Sequence, residues 1–131
     1  MNNLMLYSFI GLVILYILYV KGIILADFNF VSPKEAIDII NDEKTNVTIL
    51  DVRTLDEYNT GYIKNAILIP VQELESKIDK LKKFKDNKII VYCASGSRSI
   101  SASRILYKKG YNPHNMNGGI NNWKRNGYDI N

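Results

Sequence analysis

The sequence predicts an α/β fold with a mainly parallel central sheet flanked by helices, preceded by one N-terminal transmembrane helix. Three observations predict it. Two charge-free runs rich in β-branched residues, Val47–Leu50 and Ile89–Tyr92, read as strands buried on both faces. Around them, apolar residues recur at helical spacing, at Val71, Leu74, Ile78, Leu81 and Phe84 and again at Ile100, Ala102, Ile105 and Leu106. Ahead of all these, the run from Leu4 to Val20 contains no charged residue.

In chain order, that first run is interrupted only by Ser8 and Gly11, and Lys21 follows it before Gly22 to Ala26. About twenty apolar residues cross a bilayer core, so the segment is long enough if Lys21 snorkels to the interface. A buried core helix would show a polar face, which this segment lacks. A cleaved signal peptide would carry basic residues before Leu4 and a small-x-small site after the run. The expected organisation is an anchor over residues 1–26 and a domain over residues 27–131. All Lys and Arg residues, Lys21 first, follow the apolar run, so the positive-inside rule places the domain in the cytoplasm. A single free thiol suits that reducing compartment.

Asp27 to Val31 reads as a connection. Ser32 then caps a helix with Pro33 at its first position and Glu35 completing a capping box, and Ala36, Ile37, Ile39 and Ile40 are its candidates for burial. A polar turn at 41–46 leads into the strand at Val47–Leu50, which delivers Asp51 and Arg53 to its carboxyl end. In open α/β sheets that edge holds ligands. Arg53 therefore reads either as a pocket residue or as part of a structural ion pair with Asp51 and Glu57. A short helix is expected over Leu55–Asn59, a turn at Gly61, a strand over Ile67–Ile69 halted by Pro70, and an amphipathic helix from Val71 to Phe84. Its lysines, Lys77, Lys80, Lys82, Lys83 and Lys85, alternate with acidic residues and read as a solvated face rather than a lipid-binding one. Tyr111 to Met116 suggests a last strand interrupted by Pro113, and Gly118-Gly119 precedes a short helix in which Trp123 packs into the core.

The chemistry is concentrated in Cys93, the only cysteine, at the end of the strand Ile89–Tyr92. Ala94, Ser95, Gly96 and Ser97 are small, so their backbone N–H groups can turn inward, and Arg98 closes the turn. The helix that follows ends at Gly110, a left-handed cap. Backbone donors, the helix dipole and a guanidinium all favour negative charge at this place, which suits a thiolate nucleophile and an anionic substrate. The plain alternative is a small, inert, buried cysteine.

At this point the sequence resembles single-domain rhodaneses, the thiosulfate and persulfide sulfurtransferases. Cys93 to Ser99 looks like their active-site loop. Further pieces follow in the family's order: SPKEA at Ser32, LDVR at Leu50, EYNTGYI at Glu57, NAILIP at Asn65 and NGGINNW at Asn117. Tyr62 stands where the family often has His, and Asn65 where it often has Gly. The resemblance implies a rhodanese-like three-layer domain with Cys93 as the catalytic nucleophile. The substrate-binding residues would be Ala94, Ser95, Gly96, Ser97, Arg98, Ser99 and, from its motif, Arg53.

The function expected is transfer of a sulfane sulfur from thiosulfate or a persulfide donor to a thiol or cyanide through a Cys93 persulfide, without metal or organic cofactor. One Cys and the isolated His114 exclude a Cys-rich zinc cluster, and one Cys excludes an intramolecular disulfide. The net charge of +4 comes with no aromatic-interleaved basic stripe, so nucleic acid is not expected as a partner. Partners would be the small anionic donor, a thiol or protein persulfide, and the membrane. Two other readings are a cysteine-dependent phosphatase or arsenate reductase, and a noncatalytic docking module. Phosphatase-like loops place five residues between Cys and Arg, whereas four separate Cys93 from Arg98.

Overall fold

The structure, a computed structural model, describes residues 2–20 and 28–131. The expected snorkelling of Lys21, the stretch Gly22 to Ala26, and the domain boundary after residue 26 lie outside the described residues. Helix α1 (Asn3–Val20) buries none of its side chains and is long and apolar enough to be a candidate membrane span.

The domain is a five-stranded, all-parallel sheet in the order β1-β5-β4-β2-β3. Its strands are β1 (Asn29–Val31), β2 (Val47–Asp51), β3 (Ile67–Leu68), β4 (Lys88–Tyr92) and β5 (Asn112–Met116). Strand β4 alternates its side chains between two cores. Ile89 and Val91 join Leu50, Leu74, Leu81, Ala102 and Leu106, while Ile90 and Tyr92 join Ala36, Ile49, Met116, Ile120 and Trp123. Helices therefore cover both faces, three layers in all. Each fully buried leucine contributes about 1.5–3 kcal/mol to holding these layers together.

The helix predicted from Ser32 is α2 (Pro33–Asn41), with the complete capping box: the Glu35 N–H donates to Ser32 Oγ at 3.1 Å and the Ser32 N–H to Glu35 Oε1 at 3.4 Å. Thr54 and Glu57 repeat the device at α3 (Leu55–Asn59). The sheet reveals two differences from expectation. Asn29–Val31 is not a connection but an edge strand, paired with His114–Met116 of β5. Pro113 does not interrupt β5, because at that position β5 pairs only with β4, and pairing with β1 begins one residue later.

Val71 to Phe84 is not one α-helix. It is a 3₁₀ turn (Val71–Glu73), a single α-turn, α4 (Leu74–Lys77), and a longer 3₁₀ segment (Ile78–Phe84). The spacing of three from Ile78 to Leu81 to Phe84 matches three residues per turn, so the stripe stays over the core. At 3.6 residues per turn it would drift round the helix.

The two departures from the family pattern have local explanations. Asn65 is the one described non-glycine residue with positive φ, at 68°, a left-handed position that glycine takes freely and asparagine next most readily. Tyr62 stacks its ring on Tyr58 at 4.1 Å and exchanges two backbone hydrogen bonds with Asn131, tying down the C-terminus.

Candidate active site

Strand β4 ends at Tyr92, and the chain leaves the sheet at Cys93 before entering α5 (Ser97–Lys108). The loop between them is held from outside. At the start of α6 (Gly119–Arg125), the Ile120 N–H donates to the Cys93 carbonyl at 2.9 Å and the Asn121 N–H to the Ala94 carbonyl at 3.1 Å. In a trans peptide the N–H points opposite to the C=O. Fixing those two carbonyls toward α6 therefore turns the N–H groups of Ala94 and Ser95 away from it, and the Ser95 N–H is one of the donors that favour the Cys93 thiolate. Gly119 permits this approach: a Cβ there would lie 2.3 Å from the Cys93 carbonyl oxygen. Gly96, at φ 112°, makes the final left-handed turn into α5.

The Gly96 N–H donates to Cys93 Sγ at 3.1 Å. The Ser99 hydroxyl lies 3.5 Å from Sγ and donates to the Gly96 carbonyl at 3.1 Å, so it can accept from the thiol or turn its proton to a thiolate. Burial pushes the Cys93 thiol up. The Ser99 hydroxyl and the backbone N–H groups of Ser99, Gly96 and Ser95 pull it down, and they prevail, leaving the thiol below its ordinary value. The first turn of a twelve-residue helix adds its dipole in the same sense. Cys93 is only 1% exposed.

Beside the loop lies a cavity of about 570 Å³ lined by Ser95, Gly96, Ser97, Arg98, Ile100, Ser101, Asn115, Asn117 and Gly118 and by Val20 of α1. Arg98 is the one charged residue among them. Its guanidinium is engaged: Nη1 and Nη2 donate to the two carboxylate oxygens of Glu57 at 2.7 and 2.8 Å. The pair is about one-third exposed on each side. The Arg98 hydrogen bonds hold the Glu57 carboxyl at about 2, against the upward push of its partial burial and with help from Thr54. Glu57 in turn raises Arg98.

Residues 32–126 match the rhodanese-like domain. The chain belongs to this family. A sulfurtransferase of Allochromatium vinosum is 34% identical over 86 residues, covering 65% of this chain and 78% of that protein. A tRNA uridine(34) hydroxylase of Hamiltonella defensa is 32% identical over 96 residues, 70% of this chain but only 26% of the hydroxylase. Among solved structures, a rhodanese-related protein of Thermoplasma volcanium aligns with a TM-score of 0.72 at 34% identity, covering 79% of this chain and 98% of that one. Membership and the sulfurtransferase relative support sulfur transfer as the general chemistry of the domain.

Of the residues singled out in the sequence, the rhodanese-like domain brings Ser95, Gly96 and Ser99 to the Cys93 sulfur, and Ser95 to Arg98 line the adjoining cavity. It does not bring Arg53 into the cavity. Arg53 is 4% exposed and pairs with the fully buried Asp51, Nη2 to Oδ2 at 2.7 Å and Nε to Oδ1 at 3.0 Å. It also donates to the carbonyls of Gly61 at 2.7 Å and Glu57 at 3.3 Å. Of its two readings, the geometry gives the structural ion pair. That pair differs from expectation in one member, because the Glu57 carboxylate goes to Arg98. Sequence reasoning missed the docking of α6 onto the loop, the Glu57 partner, and Asn115, which lines the cavity with a buried Oδ1 lacking a hydrogen-bond partner. Only the first left a signal, the adjacent glycines Gly118 and Gly119.

Proposed function

We propose that this rhodanese-like domain is a sulfurtransferase that carries sulfane sulfur as a persulfide on Cys93. The thiolate attacks the outer sulfur of thiosulfate or of a persulfide donor. A new S–S bond forms to Cys93 as the donor's S–S bond breaks, and sulfite or a thiolate leaves with the electron pair. The inward N–H groups of Ser95 and Gly96 and the Ser99 hydroxyl then hold the persulfide anion as they held the thiolate. A thiol acceptor, or cyanide in the test tube, removes the outer sulfur and restores the thiolate. No metal or organic cofactor enters the cycle.

The observation that carries this reading is the Gly96 N–H on Sγ at the N-terminus of α5. Four residues between Cys93 and Arg98 make a ring suited to one sulfur atom, and this favours sulfur transfer over phosphoryl transfer. In the same proposal α1 anchors the chain in a membrane with the domain on the cytoplasmic side, and the boundary falls after residue 26.

The test is the intact mass of the full chain, in detergent micelles, after incubation with thiosulfate. A gain of one sulfur, removed by a reductant and absent in Cys93→Ser, is expected. No gain, or the same gain in Cys93→Ser, overturns the assignment. Release of phosphate from an aryl phosphate at a comparable rate would move the site to the phosphatase reading.

A further inference from the structure

The charges around the cavity are unusual for a site meant for a dianion. Among the described residues Arg98 is the only cation on its wall, and each of its terminal nitrogens donates to Glu57. With Cys93 ionised, the three groups Arg98, Glu57 and Cys93 sum to one negative charge. Arg53 is spent on Asp51, and Arg104 donates to the carbonyls of Tyr19 and Val20. A doubly charged donor must therefore enter against a net negative charge or pull Arg98 away from its carboxylate. A donor whose sulfane sulfur sits on an organic thiol carries less negative charge and needs neither. The cavity, at about 570 Å³, is also far larger than one sulfur and its oxygens require.

Resting on the sulfur-transfer reading, we propose that Glu57 sets the donor preference of this site. By holding Arg98 in a two-bond pair it disfavours small dianions such as thiosulfate and favours low-molecular-weight organic persulfides. Glu57 acts through Arg98 and touches no reacting atom, so it is a positioning residue. For the organic donor, Cys93 S⁻ attacks the outer sulfur of R–S–SH. The Cys93 S–S bond forms, the donor S–S bond breaks, and R–S⁻ leaves with the electron pair while the proton stays on the transferred sulfur. Charge is one negative before and after. With thiosulfate the same step begins with three negative charges on the two reactants, and there the Glu57 carboxylate adds to the repulsion.

The test compares KM and kcat for thiosulfate and for cysteine persulfide in the full chain and in Glu57→Gln, which preserves an amide oxygen for the Thr54 capping box. Removing the carboxylate charge is expected to lower the thiosulfate KM by about three- to tenfold relative to that of cysteine persulfide, with kcat changing far less. A Thr54→Val variant, which loosens the cap without removing the charge, should leave the ratio of the two KM values unmoved. Equal shifts for both donors, or a rise in thiosulfate KM in Glu57→Gln, overturn the selector role and leave the persulfide cycle standing. Absence of turnover with either donor in the unaltered chain overturns the sulfur-transfer reading itself.

Discussion

Two strand ends in this domain have similar parts and opposite fates. At the end of β2, Asp51 and Arg53 lead through a short turn into α3. At the end of β4, Cys93 and Arg98 lead through a short loop into α5. Arg53 is sealed in, with a fully buried carboxylate, two carbonyls and the face of Tyr92 at 5.6 Å around it. Arg98 meets a carboxylate too, but both partners remain about one-third exposed beside an open cavity. An arginine at the ligand edge of a parallel sheet is thus not a site residue by position alone. What decides is whether its donors are already spent and whether water reaches it.

The same substitution at both places gives the largest expected contrast. Arg53→Met leaves Asp51 charged, buried and without its cation, and should lower the unfolding free energy by about 3–5 kcal/mol. Arg98→Met frees Glu57 to turn to solvent and should cost no more than about 1 kcal/mol. Denaturant unfolding of the two variants measures this directly. Equal losses would mean that the two pairs are alike in strength and that exposure is a poor guide here.

A smaller effect sharpens the contrast through pH. The Glu57 carboxyl is held at about 2, below its ordinary 4.5, by Arg98. A depressed folded value contributes stability that is fully present above about 4.5 and is lost as pH falls through about 2. Given its exposure, this contribution amounts to about 1 kcal/mol or less. Stability should therefore fall more gently between pH 4.5 and 2 in Glu57→Gln than in the unaltered chain. Parallel pH profiles of unfolding would show that the pair adds nothing to the fold.

Much of the domain was legible because its signals are local. The capping box at Ser32, the two apolar strands, and the small residues after Cys93 each act within a few positions, and each forms as expected. What was not legible depends on pairing at a distance. Strand β1 is three residues long and exists only because β5 lies beside it, eighty-odd positions later in the chain. The partner of Arg98 lies 41 residues upstream, and the residues between carry no periodicity that points to it. Arg53 was readable as ion pair or pocket residue because the sequence does not state burial. The 3₁₀ segment at Ile78–Phe84 shares its i, i+3 contacts with an α-helix, so the pattern of apolar residues served both.

Beneath the contrast between the two strand ends lies one electrostatic claim: the Ser99 hydroxyl and the N–H groups of Ser95, Gly96 and Ser99 keep Cys93 ionised more readily than an ordinary thiol, despite its burial. Because the chain has a single cysteine, the rate of alkylation by iodoacetamide as a function of pH reads this group alone. The account predicts a midpoint below the ordinary thiol value of about 8.5. A midpoint at or above it would show that burial prevails over the donors, and would contradict the account.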